Sequence, residues 1–476
     1  MKKILIGGFC FLLAAALAFF GIQFYLKTGV FKIPGKMIFT DSILDSDAEL
    51  YREAVQDIEL DKDVTFSEFY DNKPTDALLI DVLVPVSDFY EPKESITEAE
   101  FEEMFGAGKL VSVLKLTEES KLLMVGDSYY LEDYVSGAKF KYLRIEGENE
   151  EDVKAVIDKI KPTLPEFPTK DTVLSFTQTG VTALARGMNV KMSAVGDGKY
   201  FSEKIADYLK KFDLTHTSNE SSFSAYASSS NICSDPRFID TLTDIGLDIV
   251  ELTGNHNVDC GTDDAISTFE QYQELDIKTV GGGRNATEAE VPLEINQKGT
   301  KITMLAYNQS TGGATWGETP GANQYYDDNA RDRISEAKER GDFVIVDVQF
   351  NECNSYDSVT EDTTCDRADS APGDQVGLFR SLIDMGADVV VGTSAHQTQT
   401  YEQYGGGEIY YGLGNIFFDQ VWWPGTTRSL GLTHYFWKGK LLQTRRFGTV
   451  YDSDLQTRVM NQEEIEWFID RLNQAR

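Results

Sequence analysis

Residues Glu251-Leu-Thr-Gly-Asn255-His256-Asn257-Val-Asp259-Cys260-Gly261 decide how this chain is read. They follow Leu247-Asp-Ile-Val250, a short apolar run with the β-branched content of a buried strand. Gly254 breaks the run, and a helical pattern resumes near Asp263. A strand that stops at glycine and passes into Asn-His-x-x-Asp sets an amide, an imidazole and a carboxylate on one loop. In open α/β sheets ligands gather at that C-terminal strand edge. His256 is suited to acid–base work near neutral pH, and Asp259 is close enough in sequence to orient its ring. A hydrogen-bonded polar turn would give the same eleven residues, so the neighbouring runs have to decide.

Those runs recur from residue 171 onward, at Val173–Phe176, Ile302–Ala306, Phe343–Val348, Asp388–Val391 and Ile409–Tyr411. Helical patterns lie between several of them, at Phe201–Phe212, Asp263–Leu275, Asp328–Arg340 and Asp374–Met385. Strands alternating with helices predict a layered α/β domain with crossover connections. Several runs end in polar chemistry: Thr179 to Arg186 after the first, Asn219-Glu220 after Asp213–Ser218, Gln349-Phe-Asn351-Glu352, Ser394-Ala-His396-Gln397, and Gly412-Leu-Gly-Asn415. Each is weak alone. Together they place carboxylates, imidazoles and amides along one crest.

Upstream, residues 4–26 are uncharged and largely apolar behind Lys2 and Lys3, and a helix of that length reaches about 34 Å, enough to span a hydrocarbon core. The reading is an N-terminal membrane anchor and connector over 1–35, with the body outside the cytoplasm. Ala16-Leu-Ala18 offers a signal-cleavage pattern instead, but the apolar stretch runs on past it. Residues 36–168 alternate strand-like and acidic helical segments and read as a small α/β domain of unassigned role. Pro162, Pro165 and Pro168 close it. The main domain then covers 169–450, and 451–476 forms a terminal helix with Trp467, Ile469 and Leu472 on its apolar side.

The net charge of −34 argues against nucleic acid and against an anionic membrane surface as partners. Outside the cytoplasm, Cys233, Cys260, Cys353 and Cys365 favour disulfides, with three pairings open. Cys353 and Cys365 flank an acidic excursion that a bond between them closes, which leaves Cys233–Cys260. No CxxC spacing supports a thiolate zinc site. Of the remaining histidines, His216 lies within a strand run and reads as structural, and His434 receives no role. Trp422-Trp423-Pro424 either stacks on a sugar ring, lines a cleft rim or packs its own loop.

The motifs Asn219-Glu220, Asn255-His256-x-x-Asp259-x-Gly261, Gly281-Gly-Gly-Arg284, Gly386-Ala-Asp388 to Gly392 leading to His396, and Tyr411-Gly-Leu-Gly-Asn415 resemble the bacterial CapA capsule-synthesis family, also called the poly-γ-glutamate biosynthesis (PGA_cap) family. That family is related to the calcineurin-like metallophosphatases, and the resemblance runs from about 172 to 450. It implies a four-layered α/β/β/α metallophosphatase-like sandwich with its site on the crest. It further implies His256, Asp259 and Glu220 as catalytic groups, and Asn219, Arg186, Asn415 and Gln397 as substrate contacts. Asn255, Glu352 and His396 stand as metal ligands, for one divalent ion (Mn2+, Mg2+ or Zn2+) at most. The limit comes from departures: Thr179-Gly180 stands where relatives have Gly-Asp, Gln349-Phe-Asn351 replaces His-Trp-Gly, and Gly392-Thr-Ser394-Ala-His396 replaces Gly-His-His-Pro-His. The implied partners are a cell-envelope polymer (polyglutamate or polysaccharide) and a capsule synthase complex. The implied role is either that of a hydrolase or transferase on the polymer or that of a non-catalytic polymer-binding or synthase-assembly factor.

Overall fold

β-branched and aromatic residues dominate the apolar runs, and in the computed structural model those runs become neighbouring strands. The structure describes residues 35–73, 75, 77–310, 312–353 and 365–476. The anchor expected at 4–26 lies outside the described residues. No helix among the described residues is long and apolar enough to cross a membrane.

The chain divides into two units. Among the described residues, one comprises those up to 83, 112–114 and 138–167; the other comprises 84–111, 115–137 and those from 168 onward. The stretch read as one small domain, 36–168, is therefore split, because 84–111 and 115–137 pack with the larger body. In the smaller unit the strands Met37–Phe39, Val64–Asp71, Lys139–Gly147 and Leu78–Val84 lie side by side in that order. Helices Asp45–Ala54 and Glu150–Ile160 cover them, burying Tyr51, Val55, Val156 and Ile160 against Phe66 and Ile145. Asn149 caps the second helix by accepting from the Glu151 amide.

The larger unit is mixed α/β and holds two main sheets. In one, Lys278–Val280, Ile249–Glu251, Leu214–Asn219 and Val173–Thr182 run parallel, and Arg428–Trp437 and Lys440–Val450 continue it antiparallel. In the other, Thr300–Asn308, Phe343–Gln349, Val389–Gly392 and Gly407–Tyr410 are parallel, with antiparallel strands at both edges. Leu174, Phe176 and Ile249 of the first share a core with Ile302, Met304, Ile345 and Val389 of the second, so the sheets bury a common apolar face. Val250 packs outward against Phe269 and Tyr272 of the helix Thr262–Glu274. Val346 and Val390 pack outward against Phe379 and Leu382 of the helix Gln375–Met385.

Residues 434–458 supply strands as expected, but the helical pattern at 201–212 yields only a short 3-10 turn and the helix Ala206–Leu209. The terminal helix Gln462–Gln474 buries Ile465, Phe468, Ile469 and Leu472 in the inter-sheet core. That i, i+3, i+4, i+7 stripe corrects the expected apolar side, because Trp467 points outward beneath the guanidinium groups of Arg428 and Arg471.

Between the sheets lies a polar seam one layer beneath the strand ends. Gln178 donates to Asp347 over 3.1 Å, and Asp347 faces the His216 ring at 3.1 Å. Gln178 also meets His434 at 2.9 Å, and His434 reaches Thr444 at 2.9 Å. Burial and the neighbouring His216 push the His434 pKa down to about 3, so it is a neutral packing element. Both of these histidines are structural.

Candidate active site: a hollow at the strand ends

The strand Ile249–Glu251 ends where Gly254 presses on Glu220; a Cβ at 254 would lie 2.6 Å from the Glu220 Cα, so only glycine fits. That close approach turns the chain and lifts Asn255, His256 and Asp259 to the edge. His256 Nδ1 lies 2.7 Å from Asp259 Oδ2, which fixes the ring and leaves Nε2 beside the Asn255 amide, 3.4 Å away. Both members of this pair remain partly open to solvent.

Beneath them sits Glu220, 1 % exposed, at the end of the strand Leu214–Asn219. Gln349 ends the strand Phe343–Gln349 on the facing sheet. Its amide nitrogen donates to Asn255 Oδ1 (3.0 Å), Ser394 Oγ (3.2 Å) and Glu220 Oε1 (3.4 Å). His396 closes the floor. Its Nδ1 lies 2.8 Å from Asn415 Oδ1, and its Nε2 stands 3.5 Å from Glu352 and 4.0 Å from Glu220. Burial alone lowers a histidine pKa, but the Glu352 contact and the Glu220 charge outweigh it and raise His396 to about 9. Burial also raises the Glu220 pKa, with Glu352 adding to it and His396 opposing.

The hollow thus gathers Asn255, His256, Asp259, Glu220, Glu352, His396 and Asn415 from loops up to 195 residues apart in sequence (220 to 415). Arg186 lies on its flank, donating to Asp419 at 2.6 Å with its guanidinium over the Phe418 ring, which itself packs on His396. Two expected substrate contacts lie elsewhere. Asn219 turns its amide nitrogen to Ser221 and the Tyr272 hydroxyl, fully buried on the helix side. Gln397 donates to Asp366, which also pairs with Arg471 of the terminal helix. For Asn219, the last residue of its strand, alternation explains the direction, since a residue next to an inward-facing one points the other way. Gln397 lies in the loop after Val389–Gly392 and is turned by its bond to Asp366. Gln349, Ser394 and Asp419 were not singled out as site groups. Their signal was position, at the ends of the same runs.

The donor set does not fit a divalent ion. A hard cation needs oxygen or imidazole lone pairs converging on one point. Here an N–H group of Gln349 occupies the centre and takes the Asn255 oxygen. Among the described residues no three acidic, histidine or cysteine side chains are arranged to hold a metal. Of the groups expected as ligands, Asn255 is engaged by an amide donor and His396 carries the cationic character itself.

Two disulfides brace the surroundings. Cys233–Cys260, with Cα atoms 5.7 Å apart, ties the His256 loop to the 221–235 segment, where Ser222 also donates to the Asn257 carbonyl. Cys353–Cys365, at 5.8 Å, fixes the residue that follows Glu352.

Against known proteins, the chain matches two curated relatives. It is 27 % identical over 190 residues to the capsule biosynthesis protein CapA of Bacillus anthracis, covering 39 % of this chain and 43 % of that one. It is 28 % identical over 203 residues to the PGA biosynthesis protein CapA of Bacillus subtilis (strain 168), covering 42 % and 50 %. The chain therefore spans about half the length of the curated relatives it matches. Among solved structures, TT1561 of Thermus thermophilus aligns over 58 % of this chain and 98 % of its own at 11 % identity, with a TM-score of 0.31. The model of the family described as bacterial capsule synthesis protein PGA_cap matches residues 175–420, which hold every strand end that builds the hollow, and the chain belongs to that family.

Proposed function

We propose that this protein works in capsule or poly-γ-glutamate-type synthesis as a hydrolase or transferase on a cell-envelope polymer, with the hollow as a metal-free acid–base centre. We read the facing sheets and their outer helices as the four-layered metallophosphatase-like sandwich of its wider kin. Residues 4–26 anchor the chain in the membrane with the body outside the cytoplasm, beside a capsule synthase. The two disulfides support that placement, since such bonds persist in oxidising compartments.

The observation that carries the reading is the His256–Asp259 pair at the mouth of a hollow floored by Glu220 and His396. Asp259 holds Nδ1–H, so Nε2 accepts the proton of an attacking water or polymer hydroxyl. Glu220, whose pKa is raised by burial, returns a proton to the leaving atom, the amide nitrogen of a polyglutamate unit or the bridging oxygen of a polysaccharide. Cationic His396 supplies fixed positive charge toward negative charge that develops on the reacting group. The chain's own groups account for each proton, and no step passes through a metal.

Incubation of the full chain with envelope polysaccharide and with poly-γ-glutamate tests this by product size. Shortened or transferred product that disappears in His256→Ala is expected. Turnover that persists in His256→Ala removes the mechanism, and binding without turnover leaves the protein as a polymer-holding assembly factor.

A further inference from the structure

Three large aromatic rings stand in solvent on three loops, and each loop is anchored at the hollow. Trp316 is 70 % exposed and follows Gly313, whose backbone rests on Asn255 so closely that a Cβ there would come within 2.8 Å of the Asn255 Cα. Trp422 is 57 % exposed, three residues after Asp419, on a segment held because Asn415 donates to the Thr426 carbonyl at 3.0 Å. Tyr226 is 82 % exposed, on the segment that the Cys233–Cys260 bond ties to the His256 loop. Trp467, the other exposed tryptophan, differs because Arg428 and Arg471 cover it. Tyr70 and Tyr326 are exposed as well, and Trp422 packs on Trp423, but exposed rings on three segments that each tie to residues of the site offer stacking faces for a flat partner.

The charges beside these rings narrow the partner. Glu352, Asp259 and Asp419 bring carboxylates to the hollow, within a chain of net charge −34. The nearest cations are engaged: Arg186 pairs with Asp419, and His396 lies against Glu352 and Glu220. A polymer with a carboxylate on every unit meets like charge here, which costs affinity and slows encounter. Hydroxyl groups meet the reverse: carboxylates and side-chain amide oxygens accept from them, and ring faces stack on the aromatic platforms.

We propose that the hollow takes a run of uncharged sugar rings from an envelope glycan, with Trp316, Trp422 and Tyr226 as stacking platforms and the acids of the hollow accepting from ring hydroxyls. This rests on the reading of the hollow as a polymer site and names the polymer as a glycan rather than polyglutamate.

The test is titration of the full-length protein, followed by intrinsic tryptophan fluorescence, with hexamers of N-acetylglucosamine and of glucose and with poly-γ-glutamate of matched length. Saturable quenching or a blue shift with at least one glycan is expected, largely insensitive to salt. Trp316→Ala and Trp422→Ala should each weaken it roughly 5- to 10-fold. Failure of both glycans to bind, or equal binding by the tryptophan variants, overturns the proposal. So does tighter binding of polyglutamate. His256-dependent cleavage of polyglutamate without glycan binding would leave the catalytic reading standing and this one refuted. Glycan binding that needs Trp316 and Trp422, in a protein that turns over neither polymer, would do the opposite.

Discussion

Gln349 donates its side-chain amide to the Asn255 side-chain oxygen Oδ1 across 3.0 Å, joining the end of a strand in one sheet to the site loop of the other. The same nitrogen reaches Glu220 and Ser394, so one neutral group occupies the place where several lone pairs converge. Gln349→Ala strips donors from buried acceptors and should lower unfolding free energy by about 1–3 kcal/mol. Gln349→Glu adds a third carboxylate, and its melting temperature should rise with added Mn2+ while the parent protein's does not. Thermal scans with and without chelator check both, and a Mn2+-dependent rise in the parent would contradict the metal-free reading.

The 2.7 Å contact between His256 and Asp259 predicts a graded pair of variants. His256→Ala should abolish polymer turnover. Asp259→Asn, which presents a donor where an acceptor holds the ring, should reduce kcat by roughly a hundredfold or more. Both side chains are partly open to solvent, so denaturation midpoints should shift little. Steady-state kinetics beside urea melts separate lost chemistry from lost fold.

Removing the Cys233–Cys260 bond by Cys233→Ser with Cys260→Ser opens a loop of 27 residues' separation, which loop entropy values at about 3–4 kcal/mol. Hydrogen exchange should quicken at Asn255–Gly261 more than in the strand Phe343–Gln349. Uniform exchange in both segments would show that the bond does not brace the site loop.

Two groups should each remove stability as pH rises, in separate steps, against His434, whose depressed pKa adds stability up to about pH 6.5. Burial first, then the nearby Asp347 charge, holds the Glu251 pKa up at about 7. The unfolded chain therefore releases that proton first, and stability present below about pH 4.5 is lost on the way to pH 7, on the order of 3 kcal/mol. His396, raised to about 9, gives a second decline between about 6.5 and 9. Glu251→Gln should flatten the first step and leave the second. Chemical denaturation across pH 4–9 measures this, and a first step of equal size in Glu251→Gln would assign it to another group.

Much of the larger unit was legible in the chain. Asp388–Val391 and Phe343–Val348 announce themselves as strands because sheets buried on both faces require unbroken β-branched runs. The order of motifs ending those runs was enough to place His256, Asp259, Glu220, Glu352, His396 and Asn415 together. Asn219 and Gln397 were misplaced because adjacency in sequence does not say which of two neighbouring side chains faces inward. Phe201–Phe212 carried a helical period, yet only Ala206–Leu209 became helix.

By itself, the sequence determined most of the strand segments and which strand ends carry polar and ionisable side chains, because local periodicity and the residues that break it are properties of the chain alone. Only the tertiary structure decided that 84–111 and 115–137 belong to the larger body, that Gln349 occupies the centre of the hollow, and that Trp316, Trp422 and Tyr226 stand in solvent. Those facts depend on which surfaces meet when distant segments bury a common core, and that free energy is summed over contacts no local window contains.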